Sequence, residues 1–266
     1  MISAGRRADQ DNDIFIRTQR GRIPVRSGGE EVKREKGKED YAQLKKLAQK
    51  MGSCLFGVAD VRPIKNEFIL PSSLTRRLNR GISLAAPVSA EILDDIQNRP
   101  TLLYYHHYRQ LNFFLDRMAL KMSFLLQRQG WRVLPIPASQ MVNWQEQRGH
   151  LSHKKIAQRA GLGRIGRNNL LVNPRFGARI RLVSILTNMP LPSDELNQTD
   201  CGRCRRCISS CPAQAIKESP EEFDHMGCFE QLKLFRKEGF APQYICGICV
   251  KACPGKRGSI ASGYTN

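Results

Sequence analysis

Eight of the nine cysteines lie between Cys201 and Cys253, at spacings suited to iron–sulfur ligation. Cys201, Cys204, Cys207 and Cys211, followed by Pro212, reproduce C-x2-C-x2-C-x3-C-P, in which three close thiolates hold one [4Fe–4S] cluster and the fourth reaches a second. The second half offers Cys246, Cys249 and Cys253-Pro254, but Gln243 stands where its first cysteine would be. Cys228, in the connecting segment, is the substitute. Cluster I then takes Cys201, Cys204, Cys207 and Cys253, and cluster II takes Cys211, Cys228, Cys246 and Cys249. Zinc sites of four thiolates are the bland alternative, yet zinc favours separated C-x2-C pairs over a triple with a trailing Cys-Pro. A [3Fe–4S] cluster would follow if Cys228 pointed elsewhere. Gly202 and Gly247 suit close approach of backbone N–H groups to sulfur. Cys54, alone in an expected strand, reads as a small buried hydrophobe.

Two other groups could do chemistry. Residues 148 to 181 hold Arg148, Lys154, Lys155, Arg159, Arg164, Arg167, Arg175, Arg179 and Arg181 without one acid. Such a block suits nucleic-acid phosphates, an anionic cofactor or an acidic redox partner, or it is a solvated face balancing two negative clusters. Within it, Gly161, Gly163 and Gly166 formally satisfy G-x-G-x-x-G, but a helix precedes them and no acid lies about 20 residues on, so a dinucleotide site is not expected. These glycines read instead as a tight turn against a planar ligand or the neighbouring domain. The second group is Tyr104, Tyr105, His106, His107 and Tyr108, where a tyrosine or histidine could donate a proton. His153, beside Lys154, could face a cofactor or water.

The elements that must position these residues form an alternating pattern. Tyr41, Leu44, Leu47, Ala48 and Met51 recur at helical spacing, and Leu111 to Leu125 keep the same period in a helix over Tyr104–Gln129. Ser53–Val61, Gly81–Val88, Trp131–Ile136 and Arg179–Leu186 read as strands, and Ser152 as the N-cap of a short helix through Ala160. Alternating helices and strands argue for a layered α/β domain. Residues 1–40 carry ten basic and eight acidic residues with little periodicity, and are expected to be a mobile leader. The cofactor and substrate domain is expected over 41–190 and the cluster domain over 191–266, with the boundary in Met189–Thr199. The formal charge of +19 marks a strongly basic protein. Its apolar runs fall short of the roughly 18 residues of a membrane span. No signal-peptide h-region is seen, so the cytoplasm and reduced thiols are expected.

The segment from Ser152 through Ala160-Gly161-Leu162-Gly163-Arg164-Ile165-Gly166-Arg167-Asn168 to Phe176-Gly177, followed by the cysteine block, resembles the epoxyqueuosine reductase family and its relatives, the reductive dehalogenases. The resemblance covers about residues 41 to 260. It implies an α+β protein: an N-terminal nitroreductase-like α/β layered domain that holds cobalamin, then a double-cluster ferredoxin-like domain. It further implies that His153, Lys154, Gly161, Gly163, Gly166 and Asn168 border the cobalamin. Electrons from a flavodoxin- or ferredoxin-type donor would pass through two [4Fe–4S] clusters, and the substrate would be tRNA or another anion. Departures are also visible. The family's Asp-Tyr-His stretch is replaced, with His107 falling nearest the acid by helix register, so His107 and Tyr105 are the catalytic candidates. Arg164 and Arg167 stand where the family has Trp and Lys. No counterpart of the helical-repeat region used beside tRNA is expected after the second cluster. The rival readings are an electron-transfer module without its own organic cofactor, and a basic nucleic-acid-binding protein whose clusters are structural.

Overall fold

The structure, a computed structural model, describes residues 28–196 and 199–255. Helix α1 (Gly28–Lys50) leads into strand β1 (Leu55–Asp60), short helix α2 (Ser72–Thr75) and strand β2 (Arg80–Pro87). Short helix α3 (Ala90–Asp94) and the long helix α4 (Leu102–Arg128) follow, then strand β3 (Val133–Ile136) and helix α5 (His153–Arg159). A small ribbon of β4 (Arg164–Ile165) and β5 (Leu171–Val172) precedes β6 (Ile180–Thr187). The cysteine segment contributes α6 (Arg206–Ser210), α7 (His225–Lys237) and α8 (Ile248–Lys251).

The main sheet has order β1-β2-β6-β3 and is antiparallel at every pairing. Its alternation explains why both faces are covered, because successive side chains leave a strand on opposite sides. Ile82, Leu84 and Ala86 of β2, with Val183 and Ile185 of β6, face Leu115, Met118, Met122 and Leu126 of α4 and Leu44 and Ala48 of α1. Ala85 and Leu186 point the other way, onto Ile156, Ala157 and Ala160 of α5. The result is a mixed α/β layered core, as expected. Cys54 packs against this second face, and burial pushes its thiol up to about 12.

The expected leader is corrected over residues 28–40, which continue α1; residues 1–27 lie outside the described residues. The charged run hid a helical stripe, since Gly37, Tyr41, Leu44 and Ala48 follow one another at steps of four, three and four. Gly37 is buried, and a Cβ there would lie 3.0 Å from the Pro190 carbonyl. The expected linker also packs closely. Met189 and Leu191 join the core, and the Asp194 carboxylate accepts from Tyr41 Oη at 3.0 Å and from the Val58 N–H at 2.7 Å. Among the described residues no helix is long and apolar enough to cross a membrane.

Candidate functional site

The cysteines are carried by loops and short helices. Cys201 and Cys204 precede α6, Cys207 sits in it, Cys211 ends it, Cys228 is on α7, Cys249 is on α8, and Cys246 and Cys253 flank α8. The thiols act on one another mostly within the two expected sets, although Cys207 also acts on Cys249. Burial, then Cys253, Cys201 and Cys204, push the Cys207 thiol up to about 11. Burial, then Cys211, raise Cys228 to about 11, and burial with Cys228 and Cys211 raises Cys246 to about 12. Cys249 is raised well above its ordinary value by burial, then Cys246, Cys228 and Cys211. Cys207, Cys228, Cys246 and Cys249 are thus held protonated by burial and by neighbours that would repel an anion, a condition that bound iron reverses by making each ligand a thiolate. Soft sulfur in two sets of four suits iron–sulfur clusters. No three His, Cys, Asp or Glu side chains among the described residues close around a single ion.

The basic block is the frame of this module more than a free cationic stripe. Arg167 donates through Nε to the Glu218 carbonyl at 2.6 Å, through Nη1 to that of Cys204 at 2.9 Å and through Nη2 to that of Gly202 at 3.0 Å. Arg179 donates to the Lys251 carbonyl at 2.7 Å, and Arg159 to that of Asp60 at 3.0 Å. The glycines of the formal G-x-G-x-x-G act as close-packing points. A Cβ on Gly163 would lie 2.4 Å from the Val172 carbonyl, and one on Gly166 would lie 3.3 Å from Cys201 Sγ. Gly161, with φ +69, turns the chain out of α5 against Glu195. None of the three borders either of the two cavities that adjoin the cysteine module.

Two adjoining cavities lie between the sheet domain and the cysteine module. The larger, about 880 Å³ and open, has apolar walls from Val88, Leu151, Ile165, Leu171 and Ile180 with His153, Lys154 and Arg181 among them. The smaller, about 370 Å³, is bordered by all four cysteines assigned to cluster II and by Asn168, whose Nδ2 points to the Cys249 carbonyl at 3.5 Å. Tyr104, Lys154, Asn169, Arg181 and His225 belong to both, so the cavity that the second cysteine set borders adjoins the larger one. Volume, apolar walls and scattered polar groups fit a large planar cofactor with polar substituents.

The polar groups are tightly held. His153 donates from Nε2 to the Pro137 carbonyl at 2.9 Å, so Nδ1 accepts from Ser184 Oγ at 2.9 Å and neither nitrogen is free to ligate a metal. Burial, then Arg181, hold it neutral with its pKa lowered to about 4. Lys154 Nζ donates to the Asn169 carbonyl at 2.8 Å and also to Asn169 Oδ1. Burial and then Lys155 lower its pKa to about 8. Arg181 reaches from β6 to Asn112 Oδ1 at 3.1 Å and to Tyr108 Oη at 3.0 Å, with its guanidinium 4.2 Å from the Tyr108 ring centroid. Burial raises the phenol, but Arg181 with the Ser139 and Asn112 hydrogen bonds more than offsets it and leaves Tyr108 below its ordinary value.

The catalytic candidates of the Tyr/His group do not meet this cavity. His107 Nε2 accepts the Ser89 N–H at 3.1 Å, and Tyr105 accepts from Arg109 Nη1 at 3.2 Å. Neither borders the cavities, whereas Tyr104 and Tyr108 do. The signal was the helix period. Stepping back from Leu115 by fours reaches Leu111, and the adjacent inward row is Asn112, Tyr108 and Tyr104. Arg181 was read as part of the charge block and of the resembled segment but not as a partner of Tyr108, and His225, which meets Asn169 Nδ2 at 2.6 Å, was not singled out.

Comparison with known proteins agrees with this construction. Residues 200–256 match the family described as a 4Fe-4S double cluster binding domain. The chain is 32% identical over 120 residues to an epoxyqueuosine reductase of Bacillus anthracis, covering 41% of this chain and 31% of that protein. It is 33% identical over 118 residues to the tetrachloroethene reductive dehalogenase of Sulfurospirillum multivorans, covering 40% and 24%. The match therefore spans about a third or less of those relatives' length. Among solved structures, an epoxyqueuosine reductase with a tRNA-Tyr epoxyqueuosine-modified stem loop superposes with TM-score 0.58 at 21% identity, covering 82% of this chain and 65% of that one. A catabolic reductive dehalogenase superposes with TM-score 0.63 at 17% identity, covering 79% and 31%. Over part of its length the chain is thus similar in sequence to epoxyqueuosine reductases and to a reductive dehalogenase, it shares the fold of both, and its residues 200–256 match a 4Fe-4S double cluster binding domain.

Proposed function

We propose that this protein is a cytoplasmic iron–sulfur reductase that uses cobalamin. Residues 41–190 hold cofactor and substrate, and residues 191–266 carry electrons to them. The carrying observation is that one set of four cysteines, Cys211, Cys228, Cys246 and Cys249, floors the smaller cavity, which Tyr108 paired with Arg181 also borders and which shares Lys154, Asn169, Arg181 and His225 with the larger one. Cys201, Cys204, Cys207 and Cys253 hold the first cluster, and the four floor cysteines hold the second, the two together supplying a one-electron relay. His153, Lys154 and Arg181 would border cobalamin bound in the larger cavity, and that group would supply a redox-active metal centre for reduction of the substrate. His153 and Lys154 shape and polarise the wall beside it. Tyr108 donates its phenolic proton to the developing anion, and Arg181 stabilises the phenolate that remains.

The substrate is a nucleic acid of the tRNA type. Trp144, which is 56% exposed, meets Tyr244 edge-on at 5.7 Å, and Tyr244 meets Phe229 at 5.2 Å. Arg236 lies 4.8 Å from the Tyr244 ring, and the Asn143–Arg148 turn that carries Trp144 borders the larger cavity. An exposed tryptophan edge-on to partly buried aromatics beside arginine is a stacking platform for splayed bases. This platform comes from segments far apart in sequence, outside the basic block.

The test is anaerobic purification with iron, sulfide and cobalamin supplied, followed by metal analysis and spectroscopy. About eight irons per chain, as two four-iron clusters require, with near-stoichiometric cobalt is the expected result. The same iron with no bound cobalamin overturns the cofactor assignment and leaves an electron-transfer protein.

A further inference from the structure

Cys204 is the one exposed cysteine of the eight, and it stands among exposed arginines, Arg203, Arg205 and Arg206. We infer that the loop Gly202–Arg206 is the docking surface for an acidic one-electron carrier protein, which delivers its electron at the Cys204 edge of the first cysteine set. The inference rests on the proposed function and names where its reductant binds.

The charge balance is local and lopsided. Residues 199–218 carry Arg203, Arg205, Arg206 and Lys217 against Asp200 and Glu218, and both acids are engaged. Asp200 accepts the Gly202 N–H at 2.8 Å, while Glu218 is bridged by Arg205 at 2.7 Å and by Arg167 at 3.5 Å. A positive patch of this kind steers an acidic partner and fixes its orientation. Position selects the function. Cys204 lines neither cavity, whereas the other cysteine set does, so the exposed edge is the end of the module turned away from the substrate. Electron transfer weakens steeply with distance, which favours the one point where a ligand sulfur meets solvent. The step needs no bond change: the carrier loses one electron, and the first cluster gains it. RNA is disfavoured at this loop because residues 199–211 contain no aromatic side chain on which a base could stack.

The test measures binding of an acidic flavodoxin to the full chain loaded with iron and sulfide, from about 50 to 200 mM salt, a range over which screening becomes effective. Affinity is expected to fall about tenfold or more across that range, and Arg203→Glu with Arg205→Glu to weaken it about tenfold at low salt. Arg76→Glu with Arg77→Glu, an equal charge change on the α2 side, is expected to leave it within about twofold. Iron content of each variant verifies that the module is intact. Equal affinity in the loop variant overturns the inference, as does an equal loss in the α2 variant. Loss of tRNA binding in the loop variant with flavodoxin binding retained also overturns it, and assigns the loop to RNA. Failure of the proposed function is read separately, as missing iron or cobalt in the same preparations.

Discussion

Tyr108 and Arg181 form the most consequential contact between two side chains of this molecule. A guanidinium 3.0 Å from a phenolic oxygen favours the phenolate, so the proton leaves more readily than from free tyrosine. Tyr108→Phe is expected to lower turnover about 10²–10⁴-fold, the range for loss of a general acid, while cobalamin and iron contents stay unchanged. Because the folded pKa lies below the ordinary value of 10.0, the alkaline limb of the rate profile should fall before pH 10, and Arg181→Gln should move it upward. A limb that does not move would assign the proton to another group. His153 gives a prediction of opposite sense. Its folded pKa of about 4 lies below the unfolded 6.5, so the unfolded chain binds the extra proton between those values. That component of stability is full above pH 6.5 and is lost as the pH falls towards 4, and urea midpoints of wild type and His153→Gln should converge over that window.

At the scale of elements, the arginines and glycines of the central segment act as joints. Arg167 satisfies three carbonyls of the Cys201–Glu218 segment, and Arg167→Ala leaves them to water. The variant should fold but lose iron to a chelator faster than wild type, and equal rates would show the clamp to be dispensable. Gly177, with φ +59, sits so close to the last cysteine loop that a Cβ would lie 1.9 Å from the Cys253 carbonyl. Gly177→Ala should therefore displace Cys253 and reduce iron from about eight to about four per chain, one four-iron cluster being lost. Much of this level was legible in the sequence. The four strands of the main sheet and the helix over Tyr104–Gln129 are visible in composition and period, and the eight cysteines mark the segment that matches the double cluster binding domain, whereas the two-residue strands β4 and β5 are too short to show either signal. The antiparallel order β1-β2-β6-β3 was not legible, because strand pairing is set by contacts between distant segments. Nor was the start of α1, since Gly37 contributes to packing by lacking a side chain. His107 was chosen over Tyr108 because helix register brought it nearest the acid of the resembled family, and the apolar period that shows which row of this helix packs inward was not carried back to Tyr108.

The whole molecule is joined by a third apolar cluster. Ile96 and Tyr104 of the sheet domain pack with Phe235, Ile245 and Ile248 of the cysteine module, and Lys251 Nζ donates to the Ile96 carbonyl at 2.7 Å. Gly247, with φ +86, permits this seam, because a Cβ there would lie 2.7 Å from the Tyr104 ring. Ile96→Ala is expected to cost about 2–5 kcal/mol, the range for emptying a buried aliphatic site. If the seam couples the two parts, iron loss and melting of the sheet should occur together in wild type and separate in the variant. Two independent melts in wild type would show the parts to be uncoupled. The crossing of the cysteine sets has a consequence for biosynthesis. On the proposed assignment, the first set waits for Cys253 and the second for Cys249, although each begins many residues earlier. A ribosome must therefore release nearly the whole module before either set is complete, and the loops these ligands close are both long and interlocked. Loading is an all-late event, and a chain truncated by only a few residues after Cys249 would emerge able to finish the inner cluster and not the outer one.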